Sequence, residues 1–137
     1  MGLAGGALAT MITSFDVWGS QVPRIEIYGS EATLGVPDPN TFDGPVLLRK
    51  AGEKTFSEVP LAYGYTANSR GLGVADMADA IRSGRPARAS GDLTFHVLDT
   101  MGTILDAAEA GTWLDVGSSV ARPAPLPPGL APGRVTV

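Results

Sequence analysis

The sequence has no cysteine and only one histidine in 137 residues. The first absence excludes disulfides and thiolate metal centres, and it fits a cytoplasmic protein. The second leaves a single side chain for imidazole chemistry. Positive charge is also scarce: 10 Lys and Arg stand against 14 Asp and Glu, for a net charge of -4. Without a basic footprint, nucleic acid is not an expected partner. No apolar run approaches the ~20 residues that span a bilayer, so no membrane partner is expected either. The apolar start, Met1 to Thr10, has no positive n-region and runs straight into a strand-like pattern. It therefore reads as part of the fold rather than as a signal peptide.

The local signatures of enzymes are missing as well. There is no Gly-x-Ser-x-Gly elbow and no Cys nucleophile. Gly71-Leu-Gly73 precedes a helical pattern, but it lacks the third glycine and the preceding buried strand of a dinucleotide fingerprint. It reads as an ordinary flexible approach to a helix.

What is present is the pattern of a folded domain. The hydrophobic fraction is 44%, ordinary for a globular chain and too high for a disordered one. A chain of this length suits one domain that buries roughly two-thirds of its unfolded surface. Alternation at period two predicts strands over 7–18, 22–28, 32–36, 46–49 and 56–61, with Gly29-Ser30-Glu31 and the Pro37–Gly44 stretch as turns. Pro23 is compatible only with a strand's start or edge. On the first of these strands both faces are mixed, which predicts cover on both sides.

The period changes near Asn68. Val74, Met77, Ala78 and Ile81 recur at helical spacing, with Ser69 as N-cap and Gly84 and Pro86 as the stop. Asp76 and Asp79 then fall on the outer, solvated side. Ser90 or Asp92 caps a second helix reaching Ala110, with Gly111 at C′ and a short last strand over 113–116. The residues from Arg122 onward contain five prolines and read as an extended strap. The sum is an α+β fold: an open-faced, mainly antiparallel mixed sheet with two helices packed on one face, over residues 1–121, and a Pro-rich tail over 122–137.

Candidate functional residues are few. His96 shares a helical stripe with Asp92, Asp99 and Thr103. The plain reading is a solvated face of i,i+3 and i,i+4 charge pairs. The sharper one is a histidine poised as acid or base by two carboxylates. As a metal site one His and two Asp are a weak set. Arg24, Glu26 and Tyr28 alternate onto one sheet face, with Trp18 on the preceding strand. Arg, Tyr and Trp are enriched at interface centres, so this face is a candidate subunit interface.

Several segments in order resemble the C-terminal domain of the Gfo/Idh/MocA oxidoreductases. They are Ser14-Phe-Asp-Val-Trp18, Arg24-Ile-Glu-Ile-Tyr-Gly-Ser-Glu31, Leu34-Gly-Val-Pro-Asp-Pro39, Asn68-Ser-Arg-Gly-Leu-Gly-Val-Ala-Asp-Met77, Ala80-Ile-Arg-Ser-Gly-Arg-Pro86 and Phe95-His-Val-Leu-Asp-Thr-Met101. The resemblance implies a substrate-binding and oligomerisation domain of an NAD(P)-dependent sugar or inositol dehydrogenase. It implies NAD(P) for the two-domain relatives, whose Rossmann half carries the cofactor and the catalytic Lys of a Glu-Lys-Pro motif. No Lys-Pro pair occurs in this sequence, and the single His lies far downstream of the family's Asp/His element. No catalytic, cofactor-binding or metal residue is therefore carried over. A substrate-contacting Tyr of the inositol dehydrogenases falls near Gln21, so Gln21, with His96, is a candidate substrate contact. The expected partner is a second copy through the exposed sheet face, or a Rossmann-containing protein. The alternatives are a standalone dimerisation or docking module, and a small enzyme built around His96.

Overall fold

A computed structural model describes residues 1–67, 70–131 and 134–136. Four strands come first: β1 (Ile25–Tyr28), β2 (Ala32–Val36), β3 (Val46–Lys50) and β4 (Ser57–Val59). Two helices follow, α1 (Leu72–Ser83) and α2 (Gly91–Ala110). The strands form one antiparallel meander in the order β1-β2-β3-β4. The α+β class and the open sheet are as the sequence predicts, although every pairing is antiparallel and none is mixed.

Local chemistry explains where the elements stop. β1 starts after Pro23, which has no N–H to give a ladder, and β4 ends before Pro60 for the same reason. The first hairpin closes through the Gly29 N–H donating to Ala32 O at 2.9 Å. In the β2–β3 connection, Asp38 forms an Asx turn by accepting from the Asn40 N–H at 2.9 Å. Gly44 ends that loop at φ +111°, and a Cβ there would stand 2.7 Å from Pro37 Cβ, so only glycine fits.

α2 begins as its sequence predicts. Ser90 is the N-cap and accepts from the Leu93 N–H, and Gly111 closes the C-terminus at φ 63°. α1 ends at Gly84 in the left-handed region. Its N-cap is Gly71, with no side-chain cap. Ser69, the residue predicted for that role, lies outside the described residues.

Two predicted strands do not form. Residues 7–18 are irregular, and the only pairing near them is an isolated bridge between Gly2 and Leu8. A strand needs a neighbour and one face worth burying. Here both faces are mixed, and Phe15 and Trp18 stand fully in solvent. Residues 113–116 are likewise irregular, with Trp113 exposed.

The largest departure is in packing. Among the described residues, contacts between elements run only from strand to neighbouring strand. The helices rest neither on the sheet, where they were expected, nor on each other. The surface area is 11098 Å². A compact chain of 14.1 kDa exposes roughly 6,700 Å², and its unfolded form roughly 20,000 Å². The chain thus buries a little under half of its unfolded surface rather than the expected two-thirds. Among the described residues the buried ones are Asp76, Ala80 and Val135, and α2 has none.

Candidate functional site

The strand register sorts the sheet into two faces. Ile25 pairs with Val36, Ile27 with Leu34, Leu34 with Leu48, and Val46 with Val59. Residues directly opposite share a face, so these seven aliphatic side chains form one continuous apolar surface. The other face holds Glu26, Tyr28, Thr33, Arg49 and Glu58, with Gly35 and Leu47 between them. Ile25 and Ile27 are exposed, and no helix covers either face.

The predicted interface residues divide accordingly. Glu26 and Tyr28 do share the polar face, and the Tyr28 hydroxyl donates to the Glu26 carboxylate. That hydrogen bond, with the adjacent negative charge, pushes the phenol above its ordinary pKa. Arg24 lies just before β1, its Nε 3.5 Å from Asp38 Oδ2. Trp18 is on the irregular segment rather than on a strand. On the same face Arg49 lies over the Phe56 ring at 5.2 Å.

The helices also present apolar stripes to solvent. On α1, Val74, Met77 and Ile81 are exposed, while Asp76 is buried. This reverses the orientation the sequence predicts. The reason is a pair of arginines from the connector after the helix. Arg85 Nη2 donates to Asp76 Oδ1 at 2.7 Å, and the Arg88 N–H donates to Oδ2 at 2.8 Å. The Arg88 guanidinium also reaches Oδ1. Asp79, expected in solvent, accepts from Arg85 Nε at 3.1 Å and Nη2 at 2.8 Å. Burial alone would raise the Asp76 pKa, but the bonds from Arg85 and Arg88 outweigh it and hold the carboxyl below its usual value. The same carboxylates raise Arg85.

This cluster gathers the tail. Arg88 Nε donates to Ala124 O at 3.0 Å, Thr136 Oγ1 lies 3.5 Å from Asp79 Oδ1, and Tyr65 Oη donates to Ala131 O at 3.3 Å. The proline-rich strap predicted from Arg122 is thus tied down at both ends of its described length. Arg85 and Arg88 were missed in the sequence because their partners lie 9 and 12 residues away, beyond any helical spacing.

His96 has a partner that the sequence did not indicate. Its Nδ1 lies 2.8 Å from Ser118 Oγ, and the Ser118 N–H donates to Asp99 Oδ2 at 2.8 Å. The Ser118 hydroxyl and N–H, and then the nearby His96, lower the Asp99 pKa. The three residues fasten the segment after α2 back onto the helix. Asp99 bonds to the Ser118 backbone rather than to the imidazole, so the set lacks the relay of a nucleophile, a base and a group orienting the base. The predicted charge pairs along the stripe give way to this link. Gln21 is exposed, and no hydrogen bond joins it to His96 among the described residues. No group of side chains among the described residues is arranged to hold a metal ion, and no helix is long and apolar enough to cross a membrane.

Among the described residues, the apolar faces of the sheet and of the helices are uncovered. No family model, curated protein or solved structure matches the chain.

Proposed function

We propose that this chain is an association domain that joins subunits through its open sheet and exposed helices. In this reading it plays the oligomerisation part that the resemblance to Gfo/Idh/MocA C-terminal domains implies. Hydride transfer would fall to a Rossmann-containing unit, in keeping with a sequence that has no dinucleotide fingerprint and no Lys-Pro pair. A reducing, cytoplasmic setting accords with the absence of cysteine.

One observation carries the reading. The chain exposes 11098 Å², about 4,400 Å² more than a compact chain of its mass. Obligate interfaces bury some 2,000–5,000 Å² or more over both partners, about 1,000–2,500 Å² from each. Large apolar surfaces left in water mark interaction sites.

Sedimentation equilibrium over a hundredfold concentration range tests it. Self-association at low micromolar concentration is the expected result, and a monomer throughout would refute it. Turnover of a sugar or inositol with NAD(P) by the purified chain alone would refute the division of labour.

A further inference from the structure

We infer that the apolar sheet face of one copy is covered by the helices of a second copy, in a reciprocal exchange that closes a two-fold dimer. This rests on the association reading above and names the surfaces it uses. They are not those indicated by the polar face of Glu26 and Tyr28.

Three features of the structure lead to the exchange. First, one chain carries two complementary apolar surfaces that do not meet within it. One is the sheet face of Ile25, Ile27, Leu34, Val36, Leu48 and Val46. The other is on the helices. On α2, Val97, Leu98, Met101 and Leu105 are all half or more exposed, and their 1-2-5-9 spacing places them on one side of the helix. His96, Asp99 and Thr103 occupy the other side, where Ser118 is fastened. On α1, Val74, Met77 and Ile81 continue the pattern.

Second, the dimensions match. Four strands at ~4.8 Å spacing are about 14 Å across between outer axes. A single helix with its side chains is about 10–12 Å across, so α2 of one copy spans most of that width. α2, with 20 residues, is about 30 Å long and exceeds the length of any strand here.

Third, α1 is held by polar links that leave its apolar side and the apolar sheet face unpaired. Arg70 Nη2 donates to Asn40 Oδ1 at 3.1 Å and stacks over the Phe42 ring at 5.7 Å, which fixes the start of α1 to the loop at the end of β2. Asp76 and the tail hold the opposite side of α1. A second copy can supply both missing surfaces at once. Each copy then gives its helices and receives its partner's, which is the isologous geometry of a closed dimer. The excess of about 4,400 Å² per copy is more than enough for an obligate, core-like interface, which removes about 1,000–2,500 Å² per copy from water.

The absence of native cysteine allows a direct test with single engineered thiols and a short bis-maleimide linker. Ile27→Cys and Met101→Cys chains are prepared separately, matched to the native chain by far-UV circular dichroism, then mixed and allowed to exchange subunits. The expected result is a covalent dimer joining unlike variants, with little product from either variant alone. In the double variant, the linker should give dimers rather than an internally bridged monomer. If Ile27→Cys does not fold, Leu34→Cys with Leu105→Cys makes the same comparison.

An internal bridge in the double variant would place the helices on their own sheet and overturn the exchange. So would efficient Ile27-to-Ile27 linkage, or a dimer in which unlike variants never link. In the last two cases the association reading survives. A monomer in sedimentation at every concentration ends both.

Discussion

Replacing Asp76 by Asn isolates the one buried charge among the described residues. The change keeps the size of the side chain and removes the anion between Arg85 and Arg88. Asp76 is 8% exposed in its side chain, against 25% and 22% for the two arginines. Breaking a fully buried pair costs about 3–5 kcal/mol. Here the guanidiniums can turn to water, so the loss is nearer that of hydrogen bonds to a charged group, about 1.5–3 kcal/mol. The Arg88 N–H, which donates to Asp76 Oδ2, is the reporter. At a tenfold change per 1.4 kcal/mol, its hydrogen-exchange protection should fall by about 10- to 150-fold. The pH dependence follows from the lowered folded pKa. The unfolded value is about 3.9, so the contribution is complete above that pH and is lost as pH falls through the folded value. The native chain should therefore show an acid step in Arg88 protection below about pH 4, and Asp76→Asn should lack it. Equal protection in the two chains would mean that Asp76 is not the anchor of the connector, and the account of why α1 buries its polar side would fail.

Three further outcomes are expected. Ser90→Ala removes the side-chain cap of α2 and should cost about 1 kcal/mol, read as a lower melting temperature in far-UV circular dichroism; an unchanged melt would show the cap to be idle. Gly44→Ala and Gly52→Ala both place a side chain at positive φ, but only at Gly44 does the new Cβ meet another atom. Gly44→Ala should therefore be the more destabilising in urea unfolding, and the reverse order would contradict the loop geometry. Ser118→Ala should raise the Asp99 pKa toward the ordinary carboxylate value, followed by carboxyl NMR titration, because the hydroxyl is the main cause of the lowering.

Local features were legible in the sequence because their causes are local. Ser90 and Gly111 mark the ends of α2 by chemistry that acts within one helical turn. Ala32–Val36 was placed to the residue because a turn precedes it and Pro37 follows it. The misses share a different cause. Period-two texture over 7–18 signals a strand only if a neighbour pairs with it, and none does. The stripe of Val74, Met77 and Ile81 shows that α1 is amphipathic, but not that the helix presents this side to solvent. That orientation is set by Arg85 and Arg88, which return from beyond the helix. His96 was singled out with its i+3 neighbour Asp99, but Ser118, 22 residues on, decides what both do. A small hydroxyl residue after a Gly117 bend carries no pattern that would mark it.

Polar and apolar interactions are divided unusually in this chain. The ionic and hydrogen-bonded links are satisfied within one copy: no buried side-chain N or O atom lacks a partner among the described residues. The apolar stripes of both helices and of the sheet are not. Polar links of this kind each contribute about 1–3 kcal/mol net, whereas burial of aliphatic surface is the main force that offsets chain entropy. A chain that fastens its connectors but leaves its apolar faces in water has thus settled the geometry of its helices without gaining most of the stability. On the exchange proposed above, that stability arrives with the second copy. Folding and association are then one equilibrium, and the melting temperature must rise with protein concentration. The intramolecular links act beforehand, by holding the helices where a partner's sheet can receive them.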